Sequence, residues 1–343
     1  LFRSGDNSMS QGPIPIVDFA AFPNGTLEEK KAIANQVMDA FRTVGFLILQ
    51  HHTVPQPLVD AVFDRSKAFF DLPPETKNLL QWECAESNRG YVPPGMEKLS
   101  NLDTEGKHAE LQELQQTAPD MKESMEIGKE PSPKWQNMWP AEDDAPKFKE
   151  TMTNFFNTAH GFHVHVIQCI ALALGQDEHA LDDYVDGRDC NLRLLHYPEC
   201  EKSAFANGRM RAGEHTDYGS ITMVFTHKSM TISGLQVKQK DGSFASAPFV
   251  ENSVVVNAGD LLQRWSNDTI CSNVHRVVGP VEGELTEDGR IPARYSVVLF
   301  CNPNFDRSVH VLPGCSSEGN PPKYPPVNSL EYLVSRLSAT YFK

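Results

Sequence analysis

The sequence predicts an α+β protein, with a helical N-terminal half packed on a C-terminal antiparallel β core of sandwich or barrel type. Three observations predict it. Helical periodicity dominates up to Leu174. From Asn191 onward, short strand patterns alternate with turns rich in Gly, Pro, Asn and Asp. At 343 residues and 40% apolar content, the chain can bury a sizeable core. No internal repeat is visible.

The elements follow in chain order. Leu1 to Ser10 is polar and patternless, and reads as an added remnant or a disordered terminus with the natural start near Met9. Ile14 to Phe19 is a short apolar strand. Thr26 and Glu29 have capping-box spacing, and a helix follows from Leu27 to Arg42, ended by Gly45. Phe46 to Gln50 is apolar throughout and predicts a buried strand. Pro55 to Phe70 is amphipathic and stops at Leu72-Pro73-Pro74, with a further helical turn over Glu75 to Gln81. Lys122 to Gly128 is a strand with mixed sides. Glu97 to Pro119 is polar and helix-prone, a lid or a solvent-facing insertion. Lys147 to Leu174 is the longest helix, ended by Gly175. Strands are expected over Leu192–Tyr197, His215–Phe225, Gly234–Gln239, Ser253–Asn257, Ser272–Val278 and Arg294–Cys301, and a closing helix over Ser329–Tyr341. The organisation is therefore a terminus at 1–10, a helical and mixed region at 11–146, and the long helix, β core and final helix at 147–343, acting as one catalytic unit.

A net charge of −14 argues against a nucleic-acid partner, because polyanion binders need a basic stripe. No apolar run reaches membrane-spanning length and no signal-peptide pattern opens the chain, so no membrane partner and a cytoplasmic location are expected. The seven cysteines (Cys84, Cys169, Cys190, Cys200, Cys271, Cys301, Cys315) are odd in number and widely spaced, without a Cys-x-x-Cys. They read as reduced thiols. His160 and His163 are neighbours on a helix, so a metal pair is conceivable. However, His163 and His165 face apart and no acid sits at the matching i+4 position, so core or surface histidines are the reading.

The chemistry gathers in Arg211 to Ser220. In an extended segment His215 and Asp217 share a face and offer an imidazole and a carboxylate side by side. His275, in a short strand after a turn, supplies a third ligand. Two histidines and one carboxylate make the facial triad of non-haem Fe(II) oxygenases, which leaves three coordination positions open for a chelating co-substrate and O2. Arg294 and Ser296 share a strand face further on, where a guanidinium fork and a hydroxyl clamp the distal carboxylate of a 2-oxo acid.

With these residues in hand, the chain resembles the Fe(II)/2-oxoglutarate-dependent dioxygenases related to isopenicillin N synthase, over nearly its whole length. The resemblance runs through Pro13-Ile14-Pro15-Ile16-Val17-Asp18-Phe19, Asn88-Arg89-Gly90-Tyr91, Lys122-Glu123-Ser124, Leu195-His196-Tyr197-Pro198, His215-Thr216-Asp217, Gly234-Leu235-Gln236-Val237, Asn257-Ala258-Gly259-Asp260, His275-Arg276-Val277 and Arg294-Tyr295-Ser296. It is similar above all to the fungal branch containing thymine 7-hydroxylase, through Asn191 to Pro198, Arg211 to Thr222 and Phe300-Cys301-Asn302-Pro303-Asn304. The resemblance implies a double-stranded β-helix (jelly roll). It implies iron on His215, Asp217 and His275, and the 2-oxoglutarate distal carboxylate on Arg294 and Ser296 with Tyr197 beside it. Arg193, Tyr218 and Phe300 match positions that hold a pyrimidine, with Asn191 and Asn302 as further pocket positions. Two stretches, Thr226–Ser233 and Val281–Gly289, depart from the thymine hydroxylase pattern.

The implied function is oxidation of an unactivated or methyl C–H bond of a small planar polar or aromatic molecule, a thymine-like pyrimidine or a fungal natural-product intermediate. Fe(II), 2-oxoglutarate and O2 are used, and succinate and CO2 are released. The alternatives are an oxidative cyclase or ring-expanding enzyme on the same iron site, and a binding module stapled by its metal. A structural metal needs no co-substrate clamp, which Arg294 and Ser296 provide. Neither the oligomeric state nor the individual substrate follows from the sequence.

Overall fold

The main sheet of the protein draws strands from both halves of the chain in a computed structural model that describes residues 13–96, 122–208, 210–228, 234–279 and 285–340. Across the sheet the order is β1 (Ile16–Asp18), β2 (Phe46–Gln50), β10 (Ser253–Ala258), β7 (Ile221–Phe225), β12 (Arg294–Cys301), β5 (Asn191–Tyr197), β4 (Glu123–Gly128) and β3 (Gly90–Val92). Among the described strands only β1 and β2 pair in parallel. A second sheet runs β6 (Ala212–His215), β11 (His275–Val277), β8 (Leu235–Lys238) and β9 (Phe244–Ser246). The two sheets form the jelly-roll core, and one cavity is lined from both. A two-residue pair, β13 (Ser308–Val309) with β14 (Val327–Asn328), lies outside them.

Helix α1 (Leu27–Thr43) begins as the capping box predicts. The Thr26 hydroxyl accepts from the Glu29 amide and the Glu29 carboxylate accepts from the Thr26 amide. Ile33, Ala34, Val37, Met38 and Phe41 form its buried stripe. Gly45 stops it at φ +76°, and a Cβ there would stand 2.3 Å from the Cys271 carbonyl oxygen, so glycine is required twice over. Helix α2 (Gln56–Phe70) buries Val59, Val62, Phe63, Phe69 and Phe70, and the short α3 (Pro74–Asn78) carries Lys77 into the core. There Lys77 Nζ meets Glu123 Oε2 at 2.8 Å, and Glu123 Oε1 meets His196 Nδ1 at 2.7 Å. This buried network fastens α3 to β4 and β5.

Helix α4 (Phe148–Ala173) lies across one face of the main sheet. Phe148, Met152, Phe155, Phe156, Ala159, Phe162 and Val166 pack there against Leu192, Leu194, Met223, Val297 and Leu299. Two helices complete the chain, α5 (Asp260–Trp265) and α6 (Ser329–Thr340).

Three expectations change. The β core is not confined to the C-terminal half, because β1 to β4 add themselves to it through non-local pairing. The single strand expected over His215–Phe225 is two strands in different sheets. The chain turns between them at Gly219, where a Cβ would lie 2.6 Å from the Cys301 carbonyl oxygen. Asp217 is therefore on a turn, and the same-strand-face argument does not apply to it. The strand expected over Ser272–Val278 shortens to His275–Val277, and β9 was not foreseen. The expectations for 1–10, for a lid over 97–119, for 229–233 of the Thr226–Ser233 stretch and for 281–284 of the Val281–Gly289 loop fall outside the described residues.

Candidate metal centre

His215 ends β6 and His275 opens β11, and the two are cross-strand partners with ring centroids 4.3 Å apart. The turn after β6 brings Asp217 across them. Its Oδ1 lies 3.7 Å from Nε2 of His215 and 3.7 Å from Nε2 of His275. All three ligand atoms fall within 4.8 Å of one another, and all three residues are buried.

The hydrogen bonds behind these atoms fix their protonation. His215 Nδ1 donates to the Gly213 carbonyl at 2.7 Å, and His275 Nδ1 donates to the Asn273 carbonyl at 3.2 Å. A carbonyl only accepts, so each Nδ1 carries the hydrogen and each Nε2 presents a lone pair. Burial holds the His215 imidazole neutral, with the neighbouring His275 acting in the same direction. Asp217 resists its burial because His275 and His215 lower its pKa, helped by hydrogen bonds from Asn257 and Thr222. Asn257 Nδ2 holds Oδ2 at 2.7 Å, which leaves Oδ1 for the centre. Two neutral imidazoles and one carboxylate converging on one point, each braced from behind, fit Fe(II).

A cavity of about 640 Å³ opens on one side of this centre. Tyr197, Arg294 and Ser296 line it. Arg294 is buried, its Nε lacks a hydrogen-bond partner, and no carboxylate among the described residues pairs with it. Burial lowers its pKa, against a hydrogen bond with Tyr197. Its guanidinium sits 5.4 Å from the Tyr197 ring centroid. A buried cation without an anion is a strong demand for one, and a 2-oxo diacid meets it.

A second cavity of about 570 Å³ opens on the other side and shares Arg193, His215, Asp217 and Phe300 with the first. Asn191, Tyr218 and Asn302 also line it, so every pocket residue expected from the sequence stands there. Arg193 Nε is 2.7 Å from the buried Glu126 Oε1, and its guanidinium is 5.2 Å from the Phe300 ring centroid. Asn191 Nδ2 donates to the Asn88 carbonyl and Asn302 Nδ2 to the Asp189 carbonyl, each at 3.0 Å. Those bonds orient both amides, and both Oδ1 atoms are buried without a donor. Leu333 and Leu337 of α6 line the outer wall.

Sequence reasoning gave no role to four residues here. Asn257 and Thr222 brace Asp217. Asp260 accepts from Thr216 Oγ1 at 3.1 Å and Ser272 Oγ at 2.7 Å, and meets Arg336 at 3.3 Å. It thereby ties both metal-bearing segments to α6. Lys122 is buried in the wall of the first cavity. The only signal for Lys122, Asn257 and Asp260 was their presence in the motifs that carried the resemblance.

Comparison with known proteins places this geometry among relatives. Residues 14–142 match the model described as non-haem dioxygenase in morphine synthesis N-terminal, and residues 188–303 match that of the 2OG-Fe(II) oxygenase superfamily. The chain is 31% identical over 330 residues to the 2-oxoglutarate-Fe(II) type oxidoreductase ppzD of Metarhizium rileyi, covering 95% of this chain and 90% of that protein. It is 31% identical to the 2-oxoglutarate-dependent dioxygenase frbA of Dothideomycetidae sp., covering 96% and 97%. The crystal structure of full-length thymine 7-hydroxylase from Neurospora crassa, in complex with alpha-KG and thymine, superposes with a TM-score of 0.85 at 44% identity, over 96% of this chain and 98% of that one.

Proposed function

The chain belongs to the 2OG-Fe(II) oxygenase superfamily as a 2-oxoglutarate-dependent dioxygenase using Fe(II), and on that premise we propose which residues do the work and what they act on. His215 Nε2, His275 Nε2 and Asp217 Oδ1 hold the iron. When bound with 2-oxoglutarate and O2, the iron supplies the oxidant for a C–H bond, with succinate and CO2 as co-products. The observation that carries this reading is the convergence of those three atoms at the wall between two cavities.

Arg294 and Ser296 bind the distal carboxylate of 2-oxoglutarate in the first cavity, with Tyr197 beside the guanidinium. The second cavity takes the substrate. Phe300 offers a stacking face, and Arg193 stands over it with its charge balanced by Glu126. The Asn191 and Asn302 carbonyl oxygens, held without donors, accept N–H groups. Tyr218 and the α6 leucines close the pocket against water. This pattern of acceptors, a cation and an aromatic face suits a planar ring that carries both N–H and C=O groups, such as a thymine-like pyrimidine. The shared main sheet supports treating residues 11–146 and 147–343 as one catalytic unit.

Fungal relatives named as dioxygenases and oxidoreductases keep a natural-product ring as the second reading. Substrate-coupled succinate release separates the two. Thymine and related pyrimidines are expected to raise it, with loss of the response on N-methylation of the ring. Coupling to aromatic polyketide aldehydes alone would overturn the pyrimidine reading, and absence of 2-oxoglutarate turnover in Asp217→Ala but not in the unaltered chain checks the iron site.

A further inference from the structure

The opposite face of the main sheet carries a second cluster of metal-ligating side chains. His160 and His163 lie one turn apart on α4, and Cys190 immediately precedes β5. One ligand atom from each lies within 4.8 Å of the others, and all three residues are buried. We propose that His160, His163 and Cys190 form a second metal site, separate from the oxygenase centre, that takes a zinc-class cation.

Two observations beyond proximity point to a ligand. His163 is 0% exposed, and apart from a contact with the Cys190 thiol its ring nitrogens have no hydrogen-bond partner. An imidazole nitrogen buried without a partner in an apolar core is unfavourable, and a metal ion would supply a partner for one of the two. His160 is set up in the manner of a ligand. Its Nε2 donates to the Val185 carbonyl at 2.9 Å, so its Nδ1 is the nitrogen with a lone pair. The two rings meet edge to face with centroids 5.7 Å apart.

Cys301 stands beside the cluster. It is one residue beyond the Phe300–Asn191 pair of β12 and β5, and its thiol hydrogen-bonds the Cys190 sulfur. Cys301 is a neighbour of Cys190 and not one of the three clustered ligands. One thiolate with two neutral imidazoles offsets half the charge of a divalent cation, which lowers the cost of burial in this apolar layer. Binding releases the Cys190 thiol proton to solvent. Sulfur and nitrogen donors select zinc-class cations over Fe(II), whose own centre holds no sulfur.

The test uses the full chain with Asp217→Ala, which weakens the oxygenase centre, and the readout is absorption from a sulfur ligand, which that centre does not hold. After chelator treatment, Co(II) is titrated as a spectroscopic stand-in for zinc. One equivalent is expected, with sulfur-to-cobalt charge-transfer absorption that Zn(II) displaces. Adding Cys190→Ser or His163→Gln is expected to remove the band, while Cys200→Ser keeps it. No band, or a band that survives Cys190→Ser, would overturn the proposal. Should those variants not fold, zinc X-ray absorption on the Asp217→Ala protein decides. A mixed shell with Zn–S near about 2.3 Å is expected, and a shell of nitrogen and oxygen alone overturns the site. Failure of the oxygenase reading would instead appear as absent 2-oxoglutarate turnover in the unaltered chain, with the cobalt titration unaffected.

Discussion

Strands β5 and β12 present two different chemistries on their opposite faces. Toward the cavities point Asn191, Arg193, Leu195 and Tyr197 of β5, and Arg294, Ser296, Val298 and Phe300 of β12. Toward α4 point Leu192 and Leu194, and Val297, Leu299 and Cys301, all packed in the main hydrophobic core. One backbone register serves both, since side chains alternate along a strand. The helix-facing side is saturated by contacts apart from the His163 cluster. The cavity-facing side holds a buried guanidinium without an anion and two amide oxygens without donors. Such groups are unfavourable in isolation, and they accumulate on the cavity face.

Substitutions on the two faces are therefore expected to separate activity from stability. The largest effect is on the cavity side: His215→Ala or Asp217→Ala is expected to abolish 2-oxoglutarate turnover while circular dichroism retains the folded spectrum. Full turnover in either variant would break the comparison. On the other face of β12, Leu299→Ala is expected to lower unfolding free energy by about 2–5 kcal/mol. The KM for 2-oxoglutarate should hardly move, and denaturant titration with steady-state kinetics reads both. Arg294→Gln removes a charged hydrogen-bonding partner, a loss of roughly 1.5–3 kcal/mol. It is expected to raise the 2-oxoglutarate KM by a factor of roughly 10–100, with little change in melting temperature.

The braces behind the ligands come next. Asn257→Ala leaves all three ligands in place but frees Asp217 Oδ2. A loss of roughly 10–100-fold in iron affinity or activity is expected, recoverable by excess Fe(II) if affinity is the cause. An iron titration that matches the unaltered chain would show that Asn257 does no bracing.

The smallest effect is in the helix-side layer and depends on pH. His52 packs against Phe162 of α4 and Phe225 of β7, and burial pushes its pKa down from 6.5 to about 4. The folded protein therefore binds this proton less readily than the unfolded chain. Its contribution to stability is fully present above pH 6.5 and is lost as pH falls from there through about 4. The acid loss from this group is on the order of 1–3 kcal/mol. His52→Phe should flatten that part of the stability curve, and an unchanged acid limb would remove His52 as its source.

Much of the fold was legible because its signals are local. The Thr26–Glu29 capping box and Gly45 bound α1, and Gly175 at φ +74° ends the long helix region as expected. The Arg294–Cys301 strand has the expected limits. The errors share a cause. His215–Phe225 looked like one strand because a turn at Gly219 is dictated by the Cys301 carbonyl, a group 82 positions away in a different strand. Three of the four N-terminal strands (all but β3) were recognised one by one, but nothing in their own residues says which strands they will pair with. In the site, ligand identity came from residue type and motif. The braces Asn257 and Asp260 remained silent because each acts on a segment distant in the chain.

The sequence by itself determined which side chains are available: a His-x-Asp with a later histidine, an Arg-x-Ser pair and the aromatic and amide residues that line a cavity. These depend on what side chains are, and residue type is carried in one dimension. Only the tertiary structure decided that His275 pairs with His215, that Asp217 reaches both from a turn, and that two cavities meet at that point. It alone gathered His160, His163 and Cys190 beneath the sheet. Those outcomes depend on which distant backbone segments pair, and pairing is fixed by packing and hydrogen-bond satisfaction over the whole chain.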